Sequence, residues 1–291
     1  GGGSSLDVAK LAALLLGSGE DLDEAWGVAQ AKGPRLPLAL VPTTAGTGSE
    51  VTPVSIITVG EEEKRGVSSP VILPDVAVLD AELTLGLPAA ITAATGVDAM
   101  VHAIEAYASK NANNNPLSKM LARQALRLLG ANIETAVFNG KDVEARGAML
   151  LGSMLAGQAF ANSPVAAVHA LAYPIGGTFH VPHGLSNALV LPHVLRFNAP
   201  DAAHLYAEIA ADAFPRLADE EGTQGRCAAF VEELASLSKK LGMQTKLREV
   251  GIGEEHLAKM ASDAMKQQRL LVNNPRAVGE ADALAIYKAA W

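Results

Sequence analysis

The stretch PAAITAATGVDAMVHAIEAYAS, residues 88–109, is where the texture of the chain changes. Alanine and isoleucine recur in it at helical spacing. The proline at its start can open a helix, because its ring already holds a helical φ and its missing N–H is one the first turn leaves unused. The same texture continues through NPLSKMLARQALRLLG (115–130), VEARGAMLLGSMLAGQAF (143–160) and AAFVEELASLSKKLG (228–242). Residues 88–291 are therefore predicted to be almost wholly helical. Upstream, short β-rich runs, LPLALVPT (36–43), VSIITV (54–59) and VAVLD (76–80), alternate with loops and with a helical pattern over 5–16. That is α/β texture, so the chain divides into an α/β part, 1–87, and an all-α part, 88–291, with Pro88 at the boundary.

Composition sets the class. The 291 residues are 49% hydrophobic and 19% charged, enough for a sizeable core and for two domains of ordinary size. The net charge is −8 and no lysine or arginine cluster stands out, which excludes the electrostatic footprint of a nucleic-acid or acidic-membrane binder. Small-molecule partners are expected instead. The single cysteine, Cys227 in GRCAAFVEEL, cannot form an intrachain disulfide, has no CxxC nearby and reads as a buried structural thiol. No apolar run is long enough for a membrane span and no secretory signal is visible, so a reducing cytoplasm is expected. The chain opens on Gly1-Gly2-Gly3-Ser4-Ser5 rather than on methionine. This reads as a working loop, and the chain is expected to lack its true beginning.

Two loops have the chemistry of a nucleotide site. GGGSSLDVAK (1–10) sets glycines before a helix, so the free backbone N–H groups and positive dipole end of that helix point into a loop a pyrophosphate can approach. VPTTAGTGSEVTP (41–53) follows a strand and concentrates Thr43, Thr44, Thr47, Ser49 and Thr52, hydroxyls suited to phosphate and ribose oxygens. Each alone also reads as a connector or a capped turn. Two at consecutive strand ends predict a shared crevice, since open parallel sheets bind ligands outside the carboxyl ends of their strands.

A metal constellation stands downstream. Asp98 and His102, four residues apart in GVDAMVHAIEAY, lie one above the other on a helix face, where one cation can touch both. VAAVHALAYPIGGTFHVPHGLSNALVLPHV (165–194) then offers His169, His180, His183 and His193. Three imidazoles and a carboxylate suit Fe²⁺ or Zn²⁺ and leave room for a substrate oxygen. Spacing does not choose among the four downstream histidines. His204 and His256 lie in polar, surface-like contexts and take no role.

GGGSSLDVAK, PTTAGTGSE, LPDVAVLDAELT, GVDAMVHAIEAY, HALAYPIGGTFHVPHG and the closing NPRAVGEADALAIYKAAW resemble, over essentially the whole chain, the iron-containing (group III) alcohol dehydrogenase family. The resemblance implies a Rossmann-like nucleotide-binding part followed by an all-helical domain, a dehydroquinate-synthase-like architecture with the active site in the cleft between them. It implies metal ligands at Asp98, His102, His169 and His183, leaving His180 and His193 in supporting or structural places. Nucleotide contacts are implied at Gly2, Gly3, Ser4, Thr43 and Thr44, and further at Thr47, Thr52 and Lys64, the last in the loop GEEEKRG. The implied activity interconverts alcohols with aldehydes or ketones by metal-assisted hydride transfer with NAD or NADP, in a cytoplasmic homodimer.

Two departures from the family matter. Its members carry a further segment before the glycine motif, holding the first strands of the nucleotide domain and the residue that reads the adenosine ribose. Without it the sheet is expected to show an open edge and apolar surface, and NAD is not distinguished from NADP. The second departure is Tyr173, where many members have a second histidine facing the nicotinamide; a phenol is a poorer proton acceptor than imidazole at neutral pH. Rival readings on the same scaffold are a hydroxyacid–oxoacid transhydrogenase, with which the Tyr173-Pro174-Ile175 run is compatible, and a maleylacetate reductase, against which Asp98 argues. A dehydroquinate-synthase-like lyase and an inactive fragment that keeps its metal site but loses its cofactor complete the alternatives.

Overall fold

The computed structural model describes residues 1–60 and 63–291, with Glu63 described by its backbone. Helix α1 (Gly3–Ser18) opens the chain, so Gly3 and Ser4 lie in its first turn and the helix begins two residues earlier than the pattern predicted. Gly2, extended, is its N-cap, and no side chain caps it. A short α2 (Leu22–Ala25) and strand β1 (Gly27–Val28) follow.

Strand β3 (Val54–Val59) spans the predicted run, whereas β2 (Ala39–Leu40) and β5 (Val76–Ala77) are much shorter than theirs. Pro37 and Pro42 bracket β2, and neither has an N–H to give to a ladder. Asp80 ends the other run by turning its side chain to the Glu82 N–H, which starts a 3-10 turn over Ala81–Thr84. Strand β4 (Glu63–Ser68) occupies a stretch whose composition suggests a loop. It pairs antiparallel with β3, from Val54↔Ser68 to Val59↔Glu63, and parallel with β1. The strands form a mixed sheet, β1-β4-β3, and a separate parallel pair, β2-β5, within the expected α/β part. Strands as close in sequence as β3 and β4 have no room for the crossover that parallel pairing requires. Sheet edges and apolar surface are both open to solvent in this part, with Leu16, Val28, Val76 and Val78 exposed.

After Pro88 the chain is helical, as predicted: α3 (Ala89–Ala108), α4 (Pro116–Phe138), α5 (Val143–Asn162), α6 (Ala167–Phe179), α7 (His183–Ala213), α8 (Thr223–Lys240), α9 (Leu257–Ala264), α10 (Gln268–Leu271) and α11 (Glu280–Ala290). Helix α3 runs through the middle, packed by α4, α5 and α7, and nearly every side chain from Gly96 to Ala108 is buried. A polar residue on this helix therefore needs a partner. Cys227 is buried on α8, as expected of a structural thiol. A smaller core, Leu11, Leu14, Ala25, Val67 and Ile72, holds α1 to the mixed sheet. Among the described residues no helix is long and apolar enough to cross a membrane.

Candidate metal centre and active site

Three helices meet where α3 is polar. α3 carries Asp98, His102 and Glu105, α6 carries His169 in its first turn, and α7 begins on His183. The next residue, Gly184, lets α7 rest directly on α3, because a Cβ there would stand 2.2 Å from the Ala94 carbonyl oxygen. That approach sets His183 against Asp98. One ligand atom from each of Asp98, His102, His169 and His183 lies within 4.8 Å of all the others. His169 Nε2 is 3.0 Å from His102 Nε2 and 4.0 Å from Asp98 Oδ1, and His183 Nε2 is 3.6 Å from the same oxygen. Asp98, His102 and His169 are buried, while the His183 side chain keeps 47% of its surface.

The outer nitrogen of each buried imidazole is occupied. His102 Nδ1 is 3.1 Å from the Gly46 carbonyl oxygen and His169 Nδ1 is 2.6 Å from Glu105 Oε2, both pure acceptors here. Each Nδ1 therefore bears a proton, and in the neutral form of each ring the lone pair lies on Nε2. Burial drives the His102 pKa down to about 3 against the pull of Asp98, and burial likewise lowers that of His183, so both rings are neutral at pH 7. Burial pushes the Asp98 pKa up, but the positive charge that His183, His102 and His169 carry when protonated, with an Asn187 hydrogen bond, brings it below the usual carboxylate value. Two lone pairs 3.0 Å apart cannot bond each other, and a cation between them resolves the contact. Asn187 makes the same point: its Nδ2 donates to Asp98 Oδ1 at 2.6 Å and sits 3.3 Å from both His169 Nε2 and His183 Nε2, while its buried Oδ1 has no partner. The donor set, neutral imidazoles with one carboxylate, fits Fe²⁺ or Zn²⁺.

The glycine and threonine loops lie side by side next to this centre. The Gly1 amino group donates to the Val41 carbonyl and the Thr43 N–H to the Gly1 carbonyl, both at 2.9 Å. A Cβ on Gly2 would touch Thr44 and one on Gly3 would strike Thr47. The start of α1, with Ser4 exposed, thus faces the half-buried Thr43, Thr44 and Thr47. The same loop gives the Gly46 carbonyl to His102, which ties the nucleotide-type loop to the metal-type helix.

Family models cover both parts: iron-containing alcohol dehydrogenase over residues 1–81, and the C-terminal Fe-containing alcohol dehydrogenase model over residues 92–291. The chain belongs to the iron-containing alcohol dehydrogenases. Long-chain-alcohol dehydrogenase 1 of Geobacillus thermodenitrificans is 44% identical to it, over 100% of this chain and 73% of that protein. The crystal structure of a 1,3-propanediol oxidoreductase superposes with a TM-score of 0.94 at 37% identity, over 100% of this chain and 75% of that one. A sulfoacetaldehyde reductase from Bifidobacterium kashiwanohense, solved in complex with NAD⁺, matches with a TM-score of 0.85 at 30% identity, over 99% of this chain and 74% of that one. As a member of the family, the chain is an oxidoreductase that interconverts alcohols and carbonyl compounds.

In this dehydrogenase the remaining candidates fall apart spatially. Thr52 is buried, its hydroxyl taken by Lys10 Nζ at 3.2 Å. Lys64 stands on β4 rather than in a loop, exposed, with its Nζ on Thr58 Oγ1 at 2.8 Å. Its charge still reaches His183, whose pKa it helps to lower after burial. Glu61 and Glu62 of the same GEEEKRG stretch lie outside the described residues. His180 ends α6 in the left-handed region and is exposed, and His193 lines a separate groove beside Arg196 and Lys246. His204 is exposed, and His256 stands against the Phe179 ring. The Tyr173 ring centre is 6.4 Å from that of His183, and burial raises its pKa, so the phenol keeps its proton. Three groups that spacing did not single out complete the centre: Glu105, Asn187 and the Gly46 carbonyl. Glu105 and Asn187 had one available signal, a place three or four residues along a helix from a ligand histidine.

Proposed function

We propose that Asp98, His102, His169 and His183 hold a divalent ion, iron or alternatively zinc, and that NAD binds between the glycine and threonine loops. Residues 1–87 then form the nucleotide-binding part and 88–291 the helical metal-binding part. The observation that carries this is the pair of Nε2 atoms of His102 and His169 facing each other beside Asp98, with His102 bonded directly to a loop rich in threonine hydroxyls. NAD rather than NADP is supported by the related sulfoacetaldehyde reductase, which was solved with NAD⁺.

The reaction takes a hydride and a proton from a primary alcohol to give an aldehyde, or returns both. A bound iron supplies Lewis acidity toward the substrate oxygen, and bound NAD supplies the hydride acceptor. The chain's own residues arrange the rest. Gly2, Gly3 and Ser4 offer unpaired N–H groups at the start of α1 to a pyrophosphate, and Thr43, Thr44 and Thr47 offer hydroxyls, whereas the Thr52 hydroxyl is engaged by Lys10 and Lys64 by Thr58. His183 is the open ligand, so substrate approaches over it. Tyr173, protonated and beside His183, is suited to donate a hydrogen bond to the substrate oxygen. It does not serve as the base for alcohol oxidation at neutral pH.

The substrate class is a primary alcohol and its aldehyde, the chemistry shared by the related long-chain-alcohol, propanediol and sulfoacetaldehyde enzymes. A cytoplasmic location is in keeping with the single buried cysteine, and a homodimer is the assembly the family resemblance implies. The test is His183→Ala, loaded anaerobically with iron and assayed for metal content and for NADH formed from long-chain alcohols and propane-1,3-diol. Metal and turnover should be lost together. Full turnover by metal-free His183→Ala overturns the reading.

A further inference from the structure

Glu105 lies three residues after His102 and seven after Asp98 on α3, so it shares the face that carries both. It is 5% exposed in a helix otherwise wrapped in apolar side chains. An ionised carboxylate there is costly unless both its oxygens are used. Both are used on α6. Oε2 lies 2.6 Å from His169 Nδ1, and Oε1 accepts the Val168 N–H at 2.7 Å, one of the amides that the first turn of a helix leaves without a partner. Ala166, the N-cap of α6, supplies no side-chain cap, so Glu105 does that work from a neighbouring helix.

We propose that Glu105 is the positioning residue of the metal centre: its carboxylate locks His169 in the Nδ1–H tautomer, with the bare Nε2 turned to the ion. The inference rests on the metal-centre reading above. A neutral imidazole has one proton, and the group that accepts it decides which nitrogen remains free. A carboxylate in that place also makes the ring a stronger donor to a cation. The grip on Val168 fixes the backbone one residue before His169, so ring orientation and helix start are set by the same side chain. Glutamine cannot replace it, although its size is the same. It has one acceptor oxygen for two donors, so either Val168 or His169 meets an NH₂ group. With the amide nitrogen against it, His169 is driven to the Nε2–H tautomer and points a proton at the ion. Aspartate keeps the charge but is one methylene short of spanning both donors.

The experiment compares metal-free wild type, Glu105→Gln and Glu105→Asp by zinc competition against a chromophoric chelator, with His183→Ala as control. The histidine tautomers of the metal-free proteins are read in parallel from ring ¹⁵N chemical shifts. Glu105→Gln should bind zinc about 10- to 100-fold more weakly than wild type. His169 should be the pure Nδ1–H form in wild type and gain Nε2–H in the variant. If the glutamine variant fails to fold, the aspartate variant decides on the same two readouts. Unchanged zinc affinity with an unchanged tautomer in a folded variant overturns the proposal. Failure of the metal-centre reading looks different: zinc binding by wild type would then be absent, or indifferent to His183→Ala.

Discussion

Lys10 shows what a single residue in this chain can be made to bear. It is fully buried, with its Nζ donating to the Val54 carbonyl at 2.6 Å and to Thr52 Oγ1, and with Asp7 Oδ1 at 3.8 Å. Burial brings its pKa from 10.5 down to about 8 despite Asp7 and Glu50. Between those two values the unfolded chain holds a proton that the folded chain has released, so stability rises with pH across that window. Lys10→Met removes this dependence. The difference in urea-unfolding free energy between wild type and Lys10→Met should therefore shift in favour of wild type by roughly 2 kcal/mol from about pH 7.5 to about pH 10. A pH-independent difference would show that Lys10 does not titrate in that window. At this scale the sequence was readable where one helix settles the matter: Asp98 and His102 lie four apart, and four apart is enough. It was not readable among the downstream histidines, because the contact that draws His183 to Asp98 is made at Gly184 against Ala94, on another helix. Glu105 and Asn187 look like ordinary helical polar residues until their neighbours are known.

Among elements, the loop 42–50 depends on glycines for its seat. Gly48, at φ 59°, lies against Gly157 of α5, and a Cβ on Gly157 would come 2.9 Å from Gly48 Cα. Alanine normally favours a helix interior over glycine by about 1 kcal/mol. Here the intruding methyl meets backbone that cannot turn aside, and steric cost outweighs propensity. Gly157→Ala should lose about 1–3 kcal/mol in urea unfolding, and its affinity for NADH should fall because the threonine loop is displaced. A stabilised Gly157→Ala with intact NADH binding would sink this account. Element types were legible where periodicity was long, as throughout α3 to α8, and in VSIITV, which is β3 residue for residue. Strand β4 escaped because Glu63, Lys64, Arg65 and Gly66 have the composition of a loop and become a strand only by pairing with β3. The run over 36–43 was too generous because its prolines limit how much of it can join a ladder.

For the molecule as a whole, the metal centre is the place where folding and ligand binding share free energy. Its four donors come from three helices, so no stretch of unfolded chain presents them together. An ion that binds the folded state alone stabilises it by about 4 kcal/mol at a thousandfold excess over its dissociation constant. The melting temperature of the wild type should rise by on the order of 10 °C on loading with metal, measured by calorimetry with and without chelator. His183→Ala should rise far less, and equal shifts would place the ion elsewhere.

The uneven burial of the four donors has a kinetic consequence. Asp98, His102 and His169 are sealed by the packing of α3, α6 and α7, so the solvent route to the pocket runs past the half-exposed imidazole of His183. An ion exchanging with solvent would pass that ring. The imidazole at the head of α7 is thus the donor that a chelator in solution would meet first.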